Sequence, residues 1–113
     1  MRYAFHVDAV RAAEERLLAQ QSYPDQLMQL AAHAVADAAA VMLAAHPGCV
    51  MILAGSGGNG GDGLFASALL AQQGHAVTAL VPETCHTAAL AAFEEAGGEV
   101  LNLSLIHISE PTR

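Results

Sequence analysis

Apolar and polar positions divide the chain into segments that alternate between a helical and an extended repeat. Over residues 8–21, Val10, Ala13, Leu17 and Leu18 fall on one face, opposite Arg11, Glu15 and Arg16. That spacing predicts an amphipathic helix, with Asp8 placed where an N-cap belongs. Residues 20–25 break the pattern, and Ser22 and Asp25 stand at capping-box spacing with Pro24 in the first turn of a second helix. That helix, from about Asp25 to Ala45, carries Leu27, Met28, Leu30, Ala31, Val35, Ala38, Val41 and Met42 around most of its circumference. So little polar surface predicts burial against a sheet or a second subunit. His46, Pro47 and Gly48 end it.

The period then changes. Residues 49–54 form a continuous apolar run, the pattern of a parallel strand covered on both faces. Residues 55–63 are a glycine-rich loop, residues 64–73 a helix stopped by Gly74 as its C′ residue, and residues 76–81 a second strand. An alanine-rich helix over 84–96 and a third strand starting at Glu99 complete the series. Two leading helices followed by β-α-β-α-β require a parallel sheet with right-handed crossovers. The fold class is therefore α/β: a Rossmann-like, three-layer αβα arrangement halted after three strands, in the spatial order third, second, first.

Residues 103–113 break the style of what precedes them. Alanine disappears, and the string resembles a translated sequencing-library adapter, so it reads as a non-native tail behind a domain of residues 1–102; a genuine strand is the alternative.

With 113 residues there is room for one small domain. Apolar residues make up 54% and charged residues 13%, which argues against disorder. Tryptophan is absent, so Ala, Leu, Val, Ile and Met must build the core. The net charge of −7 and the complete lack of lysine leave no basic stripe, and predict no nucleic-acid or membrane partner. The missing lysine also excludes a P-loop and any Schiff base. Cys49 and Cys85 read as small apolar side chains of a reducing, cytoplasmic setting. Met28, Met42 and Met51 are assigned to the core.

Candidate chemistry concentrates in Gly55-Ser56-Gly57-Gly58-Asn59-Gly60-Gly61-Asp62-Gly63. Gly55, Gly57 and Gly60 satisfy the dinucleotide pattern between a strand and a helix, and Glu83 stands where a ribose-binding acid could sit. Bare backbone N–H groups at a helix start suit a phosphate. Asp62 would repel one there, and fits better as an acceptor for ligand hydroxyls or as a helix cap. Asn59 offers a neutral oxygen suited to a hard cation. Ser56 approximates a nucleophile elbow, but no His or Asp is placed to activate it. Cys85 and His86 alone are no metal site.

The nine-residue string resembles the Gly-x-Gly-Asn-Asn-Gly-Gly-Asp-Gly signature of the YjeF N-terminal domain family, the NAD(P)H-hydrate epimerases. Arg11-Ala12-Ala13-Glu14 resembles that family's first-helix Arg-x-x-Glu, and residues 27–34 its Leu-Met-x-x-Ala-Gly-x-Ala helix. The likeness runs from residue 3 to about 102 and covers the first half of the family's domain. Gly58 replaces the first Asn of the signature pair, and Ala32 the usual Gly. The resemblance implies interconversion of the R and S epimers of hydrated NADH and NADPH (NADHX and NADPHX). It also implies one potassium ion, a homodimer, and a fused or separate ADP- or ATP-dependent dehydratase that acts on the S form. Carried over by position, Gly58, Asn59, Gly60, Gly61 and Asp62 would contact the hydrate and Asn59 would ligate potassium. The family's catalytic carboxylate lies in strings that do not occur here. A non-catalytic scaffold of the same family and an ordinary NAD(P) oxidoreductase are the rival readings.

Overall fold

A computed structural model of the chain describes residues 4–103. Residues 104–113, nearly all of the segment read as a non-native tail, lie outside the described residues. The elements run α1 (Val7–Ala19), α2 (Gln26–Ala45), β1 (Val50–Leu53), α3 (Gly58–Gln72), β2 (Val77–Val81), α4 (Thr87–Glu95) and β3 (Glu99–Asn102). All three strands are parallel in the order β1-β2-β3, with Val50 beside Val77, Ile52 beside Ala79 and Ala79 beside Val100. The predicted α/β class, parallel sheet and strand order are those observed, with two of the three expected layers present among the described residues.

Register decides which side chains are buried. Val50, Ile52, Val77, Ala79 and Val81 share the face that belongs to the core, and β2 alternates buried with half-buried along its length. Met51, Leu53, Leu80 and Leu101 share the other face. There Met51 is 64% exposed, Leu53 75% and Leu101 41%. The described residues thus supply helices on one face of the sheet only. The expectation that β1 is covered on both faces is not met, because β1 is an edge strand with one bare face. Met51 is therefore not a core residue.

Helix α3 is the centre of the molecule. Leu64, Phe65, Ala66, Ser67, Ala68 and Leu70 are all buried, since α2, α4 and the sheet surround it. Helix α2 presents Ala32 and Ala36 to this core, with Met28, Ala39, Ala40 and Leu43 packed alongside. Alanines keep the two helix axes close. Its opposite side leaves Leu30, Val41 and Met42 exposed within this one chain, so α2 is buried along one stripe, against α3 rather than the sheet, and Met42 lies outside the core. By length and composition α2 could cross a membrane; here its alanine stripe packs on α3.

Helix ends differ from expectation at three places. His6, not Asp8, caps α1 through its side chain. No capping box forms at α2, whose N-cap is Asp25 in a left-handed conformation; Gln21 Oε1 accepts from the Leu27 N–H instead. Helix α4 starts at Thr87 behind a His86 cap, three residues later than its alanine content predicts. By contrast Gly74, at φ 94°, is the predicted C′ residue of α3.

The largest difference concerns residues 58–63, expected as loop and found as the first turns of α3. Glycine has low helix propensity, which is why the sequence pattern stops short. Packing overrides it. A Cβ on Gly60 would overlap the Gly55 carbonyl group, and one on Gly63 would come within 2.7 Å of Ile52 Cδ1. Helix α3 can begin this close to the end of β1 only without side chains there.

Two outcomes follow from this packing. Gly60→Ala should cost about 2 kcal/mol of stability by overpacking. Gly48→Ala, which meets open space, should stay within about 0.5 kcal/mol. Equal denaturation midpoints for the two variants would contradict the close approach. Separately, Leu53→Lys should reduce self-association of the 113-residue chain in sedimentation velocity, because an exposed apolar edge strand is a pairing template. An unchanged distribution would show that the edge is not the contact.

Candidate active site

The start of α3 meets α1 and the start of α2 around an open pocket of about 510 Å³. Its lining includes Glu14 and Leu18 from α1, Asp25, Met28 and Ala31 from the start of α2, and Gly58, Asn59 and Asp62 from α3. Asn59 and Asp62 stand three residues apart in one helix, which places both on the same face. Glu14, Asp25 and Asp62 make the pocket acidic, with no Lys or Arg in its lining.

A second hollow of about 340 Å³ lies on the strand side of the same turn. Ile52, Leu53, Ala54, Gly55, Gly57, Gly58, Asn59, Gly60 and Gly63 line it. Here the surface is mostly backbone. Gly57 is the N-cap and supplies no side-chain bond, and the first intrahelical bond runs from the Gly61 N–H to the Gly57 carbonyl. The N–H groups of Gly58, Asn59 and Gly60 are therefore the unpartnered donors of the helix start, at the positive end of its dipole.

Asp62 is not a cap. It stands beyond the first turn, half-buried, and burial pushes its carboxyl above the ordinary carboxylate value, opposed by the positive potential of His86. His86 itself approaches Asp25, with Nε2 3.5 Å from Asp25 Oδ1. Of the residues assigned to the site from sequence, Gly58, Asn59 and Asp62 line the acidic pocket. Gly60 lies behind them with Gly61, both buried. Gly60 still lines the strand-side hollow, whereas Gly61 lines neither.

A family model described as "YjeF-related protein N-terminus" matches residues 24–109. The chain belongs to this family. It is 47% identical over 102 residues to the NAD(P)H-hydrate epimerase of Microbacterium testaceum, an alignment covering 89% of this chain and 39% of that protein. It is 42% identical over 110 residues to the bifunctional NAD(P)H-hydrate repair enzyme Nnr of Corynebacterium glutamicum, covering 90% and 19%. The crystal structure of yeast ynu0 superposes with a TM-score of 0.77 at 22% identity, covering 89% of this chain and 47% of that one, and shows the same fold. The chain thus spans less than half the length of each of these proteins.

Within this family frame, two pocket residues, Glu14 and Asp25, and His86 beside Asp25 went unassigned from sequence alone. Glu14 was visible as part of a motif but carried no role. Asp25 stands in the sequence as half of a capping box, and His86 as the opening of a helix that with Cys85 makes no metal site. Only the long-range approach of α1, α2 and α4 to α3 gives them a common site. Glu83, the candidate ribose acid, lies exposed beyond β2 and is not in the pocket lining. Ser56 lies in the turn ahead of the Gly57 cap and outside both hollows. Among the described residues no three His, Cys, Asp or Glu side chains gather as a metal cluster.

The raised carboxyl of Asp62 makes a signed prediction. Ionising it costs more in the folded protein than in the unfolded chain, so its charge lowers stability once pH exceeds the ordinary carboxylate value. Asp62→Asn should therefore raise the Tm near pH 7, with the gain fading as pH falls to about 3. A lower Tm for the variant near pH 7 would refute the desolvation reading.

Proposed function

We propose that the chain is the N-terminal half of an NAD(P)H-hydrate epimerase domain and binds the hydrated nicotinamide cofactor at the start of α3. The observation that carries this reading is the division of that helix start into two unlike surfaces. On one side are unpartnered N–H groups on bare glycine backbone; on the other, Asn59 and Asp62 face an acidic pocket. The names borne by its relatives support the same substrate class.

The two surfaces suit the two ends of such a ligand. A pyrophosphate would be repelled by Glu14, Asp25 and Asp62, but the donors of Gly58, Asn59 and Gly60 receive it at the helix N-terminus. Hydroxyl groups of the ribose and the hydrated ring donate to carboxylates, and the acidic pocket offers three. Asp62 thereby orients the hydrated ring. Its partial burial excludes water from that contact and strengthens it.

The side chains present fit a potassium ion. Asn59 and Asp62 give a neutral and an anionic hard oxygen on one helix face, the donor chemistry that such cations take, and no His or Cys lines the pocket. Bound there, the ion would supply positive charge among the carboxylates and hold substrate oxygens. The carboxylate that moves protons belongs, by the family resemblance, to strings outside this chain, and so does the remainder of the ion's shell. On the same grounds the complete protein is a homodimer that works with a dehydratase, separate or fused.

The test uses the protein expressed from its complete reading frame, assayed for R-to-S conversion of NADPHX. Asn59→Ala should lower the rate and weaken its dependence on potassium. Asp62→Asn should weaken binding of the hydrate by about 1–3 kcal/mol with the fold intact. Unchanged rates for Asn59→Ala with and without potassium would remove the ion from this site, and tighter binding of NADPH than of NADPHX would favour an oxidoreductase.

A further inference from the structure

His86 joins three elements at one point. As the N-cap of α4 its Nδ1 accepts from the Ala89 N–H at 3.1 Å. Its ring meets Phe65 of α3 edge to face, with centroids 5.7 Å apart and planes at 63°. It also lies so close to α3 that a Cβ on Gly61 would come within 3.1 Å of His86 Cγ and 2.8 Å of Met28 Sδ. The far ring nitrogen, Nε2, faces Asp25. An acceptor Nδ1 carries no proton, so the ring proton sits on Nε2, 3.5 Å from Asp25 Oδ1: an electrostatic contact longer than a good hydrogen bond.

Asp25 needs such a partner. At φ 63° it is the only non-glycine residue with positive φ among the described residues, a conformation that costs free energy even for Asp. Its side chain makes no cap bond to α2, since Gln21 takes the Leu27 N–H. The carboxylate is thus released from capping. It lines the pocket that holds Asn59 and Asp62.

We propose that His86 is a positioning residue: the positive Nε2–H end of its ring, held at the start of α4, attracts the left-handed Asp25 and keeps the Asp25 carboxylate in the wall of the ligand pocket. The groups around the ring are Asp25 from the start of α2, Asp62 and Phe65 from α3, and the Ala89 N–H from α4. His86 touches no ligand in this scheme and acts only through Asp25. The kinetic part rests on the epimerase reading; the geometric part does not.

Two substitutions separate the roles of the two ring nitrogens. His86→Asn keeps a good N-cap oxygen in place of Nδ1 but falls short of Asp25. His86→Gln carries an amide donor to the place of Nε2 and gives up the cap. In the protein expressed from its complete reading frame, His86→Asn should keep a near-native Tm and raise KM for NADPHX roughly fivefold, the upper scale of a part-exposed charged contact, with kcat little changed. His86→Gln should lose Tm yet hold KM within about twofold. A cap alone predicts the same order of Tm but an unchanged KM in His86→Asn, and that KM would overturn the proposal. Independently of turnover, ring ¹⁵N shifts of histidine-labelled protein should show a protonated Nε2 and an acceptor Nδ1. The Asp25 amide resonance should move in His86→Asn and stay in His86→Gln. A protonated Nδ1, or an Asp25 resonance indifferent to His86→Asn, would overturn the tie. If the unsubstituted protein turns over no NADPHX, the epimerase reading fails, and these resonances still decide the geometry.

Discussion

The close approach of Gly60 to the Gly55 carbonyl is the constraint on which the remainder of the structure depends. Because no Cβ intervenes, α3 begins within a few residues of β1 and runs back across the sheet under α2. That path buries Leu64, Phe65, Ala68 and Leu70, and these residues give α2 and α4 something to pack against. The same missing side chains expose the N–H groups of the first turn. Core packing and ligand donors are therefore consequences of one backbone geometry, and a side chain at Gly60 would disturb both.

How much of this was legible depends on the kind of signal. Strands declare themselves by local pattern, so the runs at 49–54 and 76–81 lie within a residue or two of β1 and β2. Gly74 was legible for the same reason, since a left-handed C′ position is a local demand. The start of α3 was not. Six glycines in nine residues have the propensity of a loop, and only contacts with Ile52, Met28 and His86 make them helix. Tertiary packing overrode propensity at the place where the site is built.

The site shows the same division. Asn59 and Asp62 were legible because their chemistry is unusual beside glycines. Asp25 and His86 were not, because each has a sufficient local reading, one as a capping residue and one as a helix start. Their joint role depends on a contact between the starts of α2 and α4, 61 residues apart by number. No periodicity encodes that. Asp25 does carry one local mark, its left-handed backbone, and this is a property of coordinates rather than of sequence.

Charge accounting explains why these parts sit together. The acidic pocket gathers Glu14, Asp25 and Asp62 with no basic side chain in its lining, and burial already disfavours the Asp62 charge. Left alone, such a cluster repels itself. Three sources of positive potential are within reach: the N-terminus of α3, the Nε2–H of His86, and, on the proposed function, a bound cation. The first two are built into the fold: α3 begins beneath Asp62, and His86 stands beside Asp25 with Asp62 also within its electrostatic reach. They hold the carboxylates in place without neutralising them. Any ligand that brings hydroxyl donors or a cation into the pocket relieves the residual repulsion, whereas one that places a phosphate among the carboxylates adds to it. Selection between the two ends of a dinucleotide thus follows from where α3 begins.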